Sequence, residues 1–300
     1  MWFVFDGDGA EMFESEVSGK KIGSVNTAEG EVRLIYKTNN LLMFNKNKKE
    51  PAPAQLYPLL KSNLQKQIRR GEKEAITTAS LMLDLDEFEL LRRLSIIAAE
   101  DVILSQETSR IVWYMAAVSK RLILAEKDKK FILNYVKSLV DYGKCRRLEI
   151  GNEKRNTNLK MSEVLKSDCS NKNKLAGILF RYYFGGLSGD LPMLSELCDD
   201  ILQEGRLEVI MSKKEVISIP ALKFSEAAID FHIYPNLLAL IKQDTNIEEN
   251  VIKSCIWQCS SRINYRYKEE TDLYPIWQKI YPSFLHHTKS YLSKIVKKYF

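Results

Sequence analysis

LYPLLKSNLQKQIRRGEKEAITTASLMLDLDEFELLRRLSIIAAEDVIL, Leu56 to Leu104, is the stretch from which the fold is read. Leu56, Leu59, Leu60, Leu64 and Ile68 fall on one stripe of a helix that ends at Arg69-Arg70-Gly71. Ala75, Ala79, Met82 and Leu83 predict a second helix, and Phe88, Leu91, Leu94, Ala98 and Val102 a third. Short helices hide apolar faces against one another, so these three are expected to form a compact bundle and the folding nucleus.

The polar residues of the stretch carry a second signal. Gln67-Ile68-Arg69-Arg70-Gly71, Leu91-Arg92-Arg93-Leu94 and Ile97-Ala98-Ala99-Glu100-Asp101-Val102 together resemble the helical C-terminal region of the replication-associated recombination ATPases, the RarA/MgsA type of clamp-loader relatives. Ala99 stands where that family has Ser, and Ile103-Leu104 where it has Gly-Leu-Ala. The resemblance implies a setting in DNA replication or recombination, self-association, and other replication proteins as partners. Arg69, Arg70, Arg92, Arg93, Glu100 and Asp101 would then belong to an oligomer surface. On physical grounds they read equally as a structural ion-pair cluster across a helix junction. No Walker A motif occurs, so the ATPase core of that family is missing and ATP hydrolysis is not expected.

The 300 residues are 45% hydrophobic and 28% charged, an ordinary globular balance. No apolar run approaches the length of a membrane span, and Met1-Trp2-Phe3-Val4-Phe5 runs into Asp6 without a basic leader. An intracellular protein, cytoplasmic or nuclear and without membrane contact, is therefore expected. Its five cysteines are odd in number and irregularly spaced, which predicts reduced thiols.

The net charge of +6 is concentrated. Lys144 to Lys174 holds nine Lys/Arg against four Asp/Glu, including Arg146, Arg147, Lys154 and Arg155. Lys289, Lys294, Lys297 and Lys298 crowd the last segment. Between them, Arg262, Arg266 and Lys268 alternate with Tyr265 and Tyr267, a mixture that grips phosphates while stacking on bases. Tyr and Arg also dominate protein interfaces, so contact with DNA or RNA and contact with protein remain two readings of the same residues.

Residues 1–50 read as short antiparallel strands at Trp2 to Phe5, Lys21 to Val25, Val32 to Tyr36 and Leu41 to Phe44, with a turn at Thr38-Asn39-Asn40. Val4-Phe5-Asp6-Gly7-Asp8-Gly9 resembles the nucleophile loop of haloacid-dehalogenase-like phosphatases, which would make Asp6 the nucleophile and Asp8 the acid/base. The same run also reads as a tight turn. Beyond a helical region at 51–143, with Trp113 and Tyr114 expected in its core, residues 144–174 read as a basic linker or loop.

A second helical region, 175–300, is expected to hold a β-hairpin near 207–219 and helices over Leu222 to Phe231, Pro235 to Lys242, Glu248 to Ser261 and Pro282 to Phe300. Phe184 to Asp190 is glycine-rich, with Asp190 expected to cap the next helix rather than cradle phosphate. Cys255, Cys259, His232, His286 and His287 lack metal-site spacing, and Asp230-Phe231-His232 lacks a nucleophile. The sequence thus predicts a mainly α, multi-helix bundle in two halves, without catalytic residues, metal or cofactor. The function expected of it is that of an oligomeric, non-enzymatic nucleic-acid-associated factor. A protein-interaction or structural assembly protein is the alternative, and a phosphatase-like hydrolase a third.

Overall fold

The computed structural model describes residues 1–37, 43–44, 56–142, 158–185, 191–211, 218–261 and 268–300. They form eleven helices and one four-stranded sheet, so the chain is mainly α. Two compact units interleave along the sequence. The first comprises residues 1–50 and 79–219, the second residues 51–78 and 220–300. The expected order of a β element, a bundle at 51–143 and a second region from 175 onward is replaced by this interleaving.

In the first unit, β1 (Trp2–Phe5) pairs with β2 (Ala10–Phe13), and β3 (Lys20–Thr27) with β4 (Gly30–Tyr36), each antiparallel. β4 then lies parallel to β1, giving the order β2-β1-β4-β3. The sheet is therefore mixed where an antiparallel one is expected. β1 is paired on both edges, with Phe3, Val4 and Phe5 all buried, and the intervening β2 and β3 supply the crossover that a parallel pair requires. Asp6 to Gly9 is the β1–β2 turn. The Asp6 Oδ1 accepts from the backbone N–H of Asp8 and of Gly9, at 3.0 and 2.9 Å, and Gly7 has φ 109°. The predicted turn at Thr38-Asn39-Asn40 lies outside the described residues.

Two helices, Gln106–Ser119 and Lys172–Tyr183, pack against this sheet. The first, α4 (Gln106–Ser119), contacts β1, β2, α3 (Glu87–Asp101) and α7 (Lys172–Tyr183). Trp113 and Tyr114 are core residues, as expected, and Trp113 Nε1 donates to the Phe3 carbonyl at 3.0 Å. Gly177 on α7 permits that closeness, because a Cβ there would lie 2.3 Å from Ser109 Oγ and 2.8 Å from the Phe3 ring. α5 (Glu126–Tyr142) follows α4, with its N-terminal Asp128 accepting from Tyr114 Oη at 2.6 Å.

The second part of the expected linker is ordered. α6 (Met161–Lys166) buries Met161, Val164 and Leu165 against α7, and Glu29 in the β3–β4 turn accepts from the N–H groups of Met161 and Ser162. α8 (Leu191–Glu204) packs on α3 and α7. Within the predicted hairpin at 207–219, residues 212–217 lie outside the described residues, and Glu208 bridges to Ser105. Asp190 lies outside them as well.

The second unit starts with α1 (Leu56–Arg70), which is buried on its polar side as well as its apolar one. Asn63 Nδ2 and Gln67 Nε2 both donate to the Lys223 carbonyl, at 3.1 and 2.8 Å, while Asn63 Oδ1 accepts from the Ser225 N–H at 2.8 Å. A 3₁₀ turn at Glu226–Ala228 packs on α1, where a longer helix over Leu222 to Phe231 is expected. These backbone contacts hold the segment in register with α1 and leave it no helical ladder of its own. α1 is thus covered by a segment far away in sequence. The boundary between units falls within α2 (Ala75–Leu85).

α9 (Leu237–Thr245), α10 (Glu249–Ile256) with its π-helical continuation Trp257–Ser261, and α11 (Tyr274–Tyr299) share the core of this unit. Ile241, Ile252, Cys255, Ile256, Trp277, Ile280 and Phe284 fill it. α11 begins eight residues ahead of its expected start at Pro282, and carries that proline internally. No described helix is long and apolar enough to cross a membrane.

Asn63→Ala is expected to destabilise the protein by about 1–3 kcal/mol, because it orphans the buried N–H of Ser225 and one bond to the Lys223 carbonyl. Urea unfolding monitored by circular dichroism measures it.

Candidate functional site

The basic residues nominated by sequence separate into three groups. Arg146, Arg147, Lys154, Arg155, Arg262, Tyr265 and Arg266 lie outside the described residues. Lys294, Lys297 and Lys298 stand exposed on the last turns of α11, with Lys298 5.0 Å from the Tyr299 ring. Lys268 lines a cleft in the second unit.

The arginines of the expected cluster divide between the units. Arg92 pairs with Glu89 at 2.8 Å, and Arg93 meets Glu100 at 4.0 Å, one of the pairings expected from spacing. Asp101 is buried in the same unit. Arg69 and Arg70 belong to the second unit and cap the π-helical end of α10. Arg69 Nη1 donates to the Ser261 carbonyl, and Arg70 Nη2 to that of Ser260 at 2.9 Å. Cations at a helix C-terminus are favoured by the aligned carbonyl dipoles.

From that cap Arg70 also reaches Ser225 Oγ at 2.7 Å, and its side chain forms one edge of the cleft, a cavity of about 640 Å³. Lys223 and Glu226 enter from the segment fixed by Asn63 and Gln67. The backbone of Lys223 is pinned while its side chain is exposed. Lys268 is half-buried, its carbonyl accepting from the N–H and Oγ1 of Thr271. α11 supplies Tyr274, Trp277, Gln278 and Tyr281, which recur at helical steps and so form one stripe. Tyr281 Oη donates to Glu226 at 2.8 Å, which raises the Tyr281 pKa together with partial burial.

Glu72 sits among these cations. Its Oε1 lies 3.4 Å from Ser225 Oγ, and its Oε2 is buried with no hydrogen-bond partner among the described residues. Burial pushes the carboxyl above the ordinary carboxylate range, against the opposing pull of Arg70 and Lys223. The cleft thus presents three cations, an aromatic stripe and two carboxyls, that of Glu226 hydrogen-bonded to Tyr281 and that of Glu72 with its negative charge disfavoured by burial.

The other nominated groups do different work. Asp230 is buried and accepts from the His232 N–H at 2.9 Å and Ser261 Oγ at 3.1 Å, with Lys66 Nζ 3.6 Å away. It ties α1 to the end of α10. Burial raises the thiols of Cys198, Cys255 and Cys259, that of Cys255 to about 11, and the four described cysteines are free and buried. His287 Nε2 and Ser283 Oγ both contact Asp244 Oδ2, at 2.8 and 2.6 Å, so the serine bonds the carboxylate rather than the imidazole. No group of three or more metal-ligating side chains occurs among the described residues.

Lys223, Glu72 and the α11 stripe are absent from the sequence-derived site. The spacing of Tyr274, Trp277, Gln278 and Tyr281 was available, but Pro282 obscures it by marking a helix start. No family model, curated protein or solved structure matches this chain.

Glu72→Gln is expected to stabilise the protein at neutral pH. A carboxyl whose pKa is raised on folding binds its proton more tightly in the folded state, so stability falls as pH rises from the ordinary range, near 4.5, through the folded value. Melting temperatures of wild type and variant should converge as pH is lowered toward that range and separate above it.

Proposed function

We propose that this chain is a non-enzymatic, self-associating factor of DNA replication or recombination that binds nucleic acid through the cleft of its second unit. The observation that carries the reading is the meeting of Arg70, Lys223 and Lys268 with an aromatic stripe in one cavity. Lys268 closes the Arg262 to Lys268 run, whose alternation of basic and tyrosine residues points to the same ligand. Phosphates supply most of the affinity in such contacts, and the neighbouring rings make the site suitable for bases as well. The replication or recombination setting and the self-association rest on the resemblance of residues 56–104 to the recombination ATPases.

Arg70 is committed to the cap on α10, so the two lysines are the groups to test. In fluorescence anisotropy with labelled DNA, phosphate contacts from these two lysines on a single strand should give a log–log salt slope of about −1.4. Lys223→Gln with Lys268→Gln should reduce that slope by more than half and weaken binding at every salt concentration. Retention of the full slope in the double variant would remove the cleft as the contact surface. Absence of binding at low salt would leave a protein-interaction role for the same Tyr and Arg residues.

A further inference from the structure

The shape of the cleft and the distribution of its side chains go beyond a general attraction for phosphate. All the aromatic and amide groups of the stripe come from α11, whereas the cations come from the end of α1, the segment at Lys223, and Lys268. Tyr274 and Tyr281 are two helical turns apart, and Gln278 lies on the stripe between them. Gln278 is exposed, and its amide makes no hydrogen bond within the described residues. An amide has two donors and an acceptor, which suits the edge of a base held beside a ring.

Size narrows the ligand further. A cavity of about 640 Å³ falls in the range that encloses a small molecule. A duplex offers proteins a convex rod read by elements that project into its grooves, and its bases are stacked out of reach of a concave pocket. An unpaired nucleotide has both a free ring face and a free edge.

Resting on the proposed nucleic-acid reading, we infer that the cleft accepts one unpaired nucleotide of a single strand. Its base lies on the α11 stripe at Tyr274, its edge at Gln278, and its phosphate on Lys223 and Lys268. The site therefore selects single-stranded over double-stranded nucleic acid.

The test uses the full chain and a labelled ten-residue oligothymidylate in anisotropy competition. Unlabelled thymidylyl dinucleotide should displace the probe, and a blunt duplex of equal length should compete at least about ten times more weakly. Tyr274→Ala should weaken binding of the oligonucleotide by about five-fold or more, the loss of one stacking contact. Gln278→Ala, an exposed substitution with little bearing on folding, should weaken it less but in a manner that depends on the base, tested with oligoadenylate and oligocytidylate. Equal competition by duplex, with no displacement by dinucleotide and no effect of either variant, would overturn the single-nucleotide inference while leaving nucleic-acid binding intact. Failure of both strands and duplex to bind would overturn both.

Discussion

The segment at Lys223 and the π-helical end of α10 are held by side chains of α1 that satisfy main-chain groups far away in sequence. Asn63 and Gln67 converge on the Lys223 carbonyl, while Arg69 and Arg70 hold the carbonyls of Ser261 and Ser260. Buried carbonyls without partners are costly, and the segment from Pro220 to Asp230 has little regular structure to satisfy its own. The polar face of α1 takes over that role. This explains why Asn63, Gln65, Lys66, Gln67 and Arg69 are buried on a helix whose leucines alone would account for its packing.

The same bonds position the candidate site. Lys223 presents its side chain to the cleft because its carbonyl is held from behind, and Arg70 borders the cleft while capping the π-helical end of α10. Glu72 follows one residue after the helix and the turn at Gly71. A backbone held by hydrogen bonds that presents an exposed charged side chain, as at Lys223, is a suitable basis for a binding surface, since little of the backbone need be ordered on binding.

Much of this was legible from pattern alone. The leucine stripe of α1, the existence of α3 and the core placement of Trp113 and Tyr114 follow from helical periodicity and agree with the structure. The partner of α1 was not legible, because a carbonyl acceptor leaves no mark in the residue type that bears it. Strand direction failed for a related reason. Alternation records which face of β1 is buried but not whether its neighbour runs with or against it. The cleft was half legible: Lys268 stood out by charge, whereas the α11 stripe was divided by Pro282. Proline ordinarily marks a helix boundary, yet here neighbouring core contacts at Ile280 and Phe284 carry the helix through it.

The interleaving of the two units also bears on how the protein is made. The partners of Arg70 on the end of α10 lie 190 residues further along the chain. At about 5–20 residues per second, a ribosome needs about ten to forty seconds to deliver them after α1 has emerged. The second and longer segment of the first unit, Ala79 to Ile219, is translated in that interval. Until then α1 displays both its leucines and its unpaired amides, a condition under which chaperone engagement or premature pairing between nascent chains competes with folding. Synthesis rate is thus expected to influence yield through the second unit, even though most of the sheet and core of the first unit can form without it.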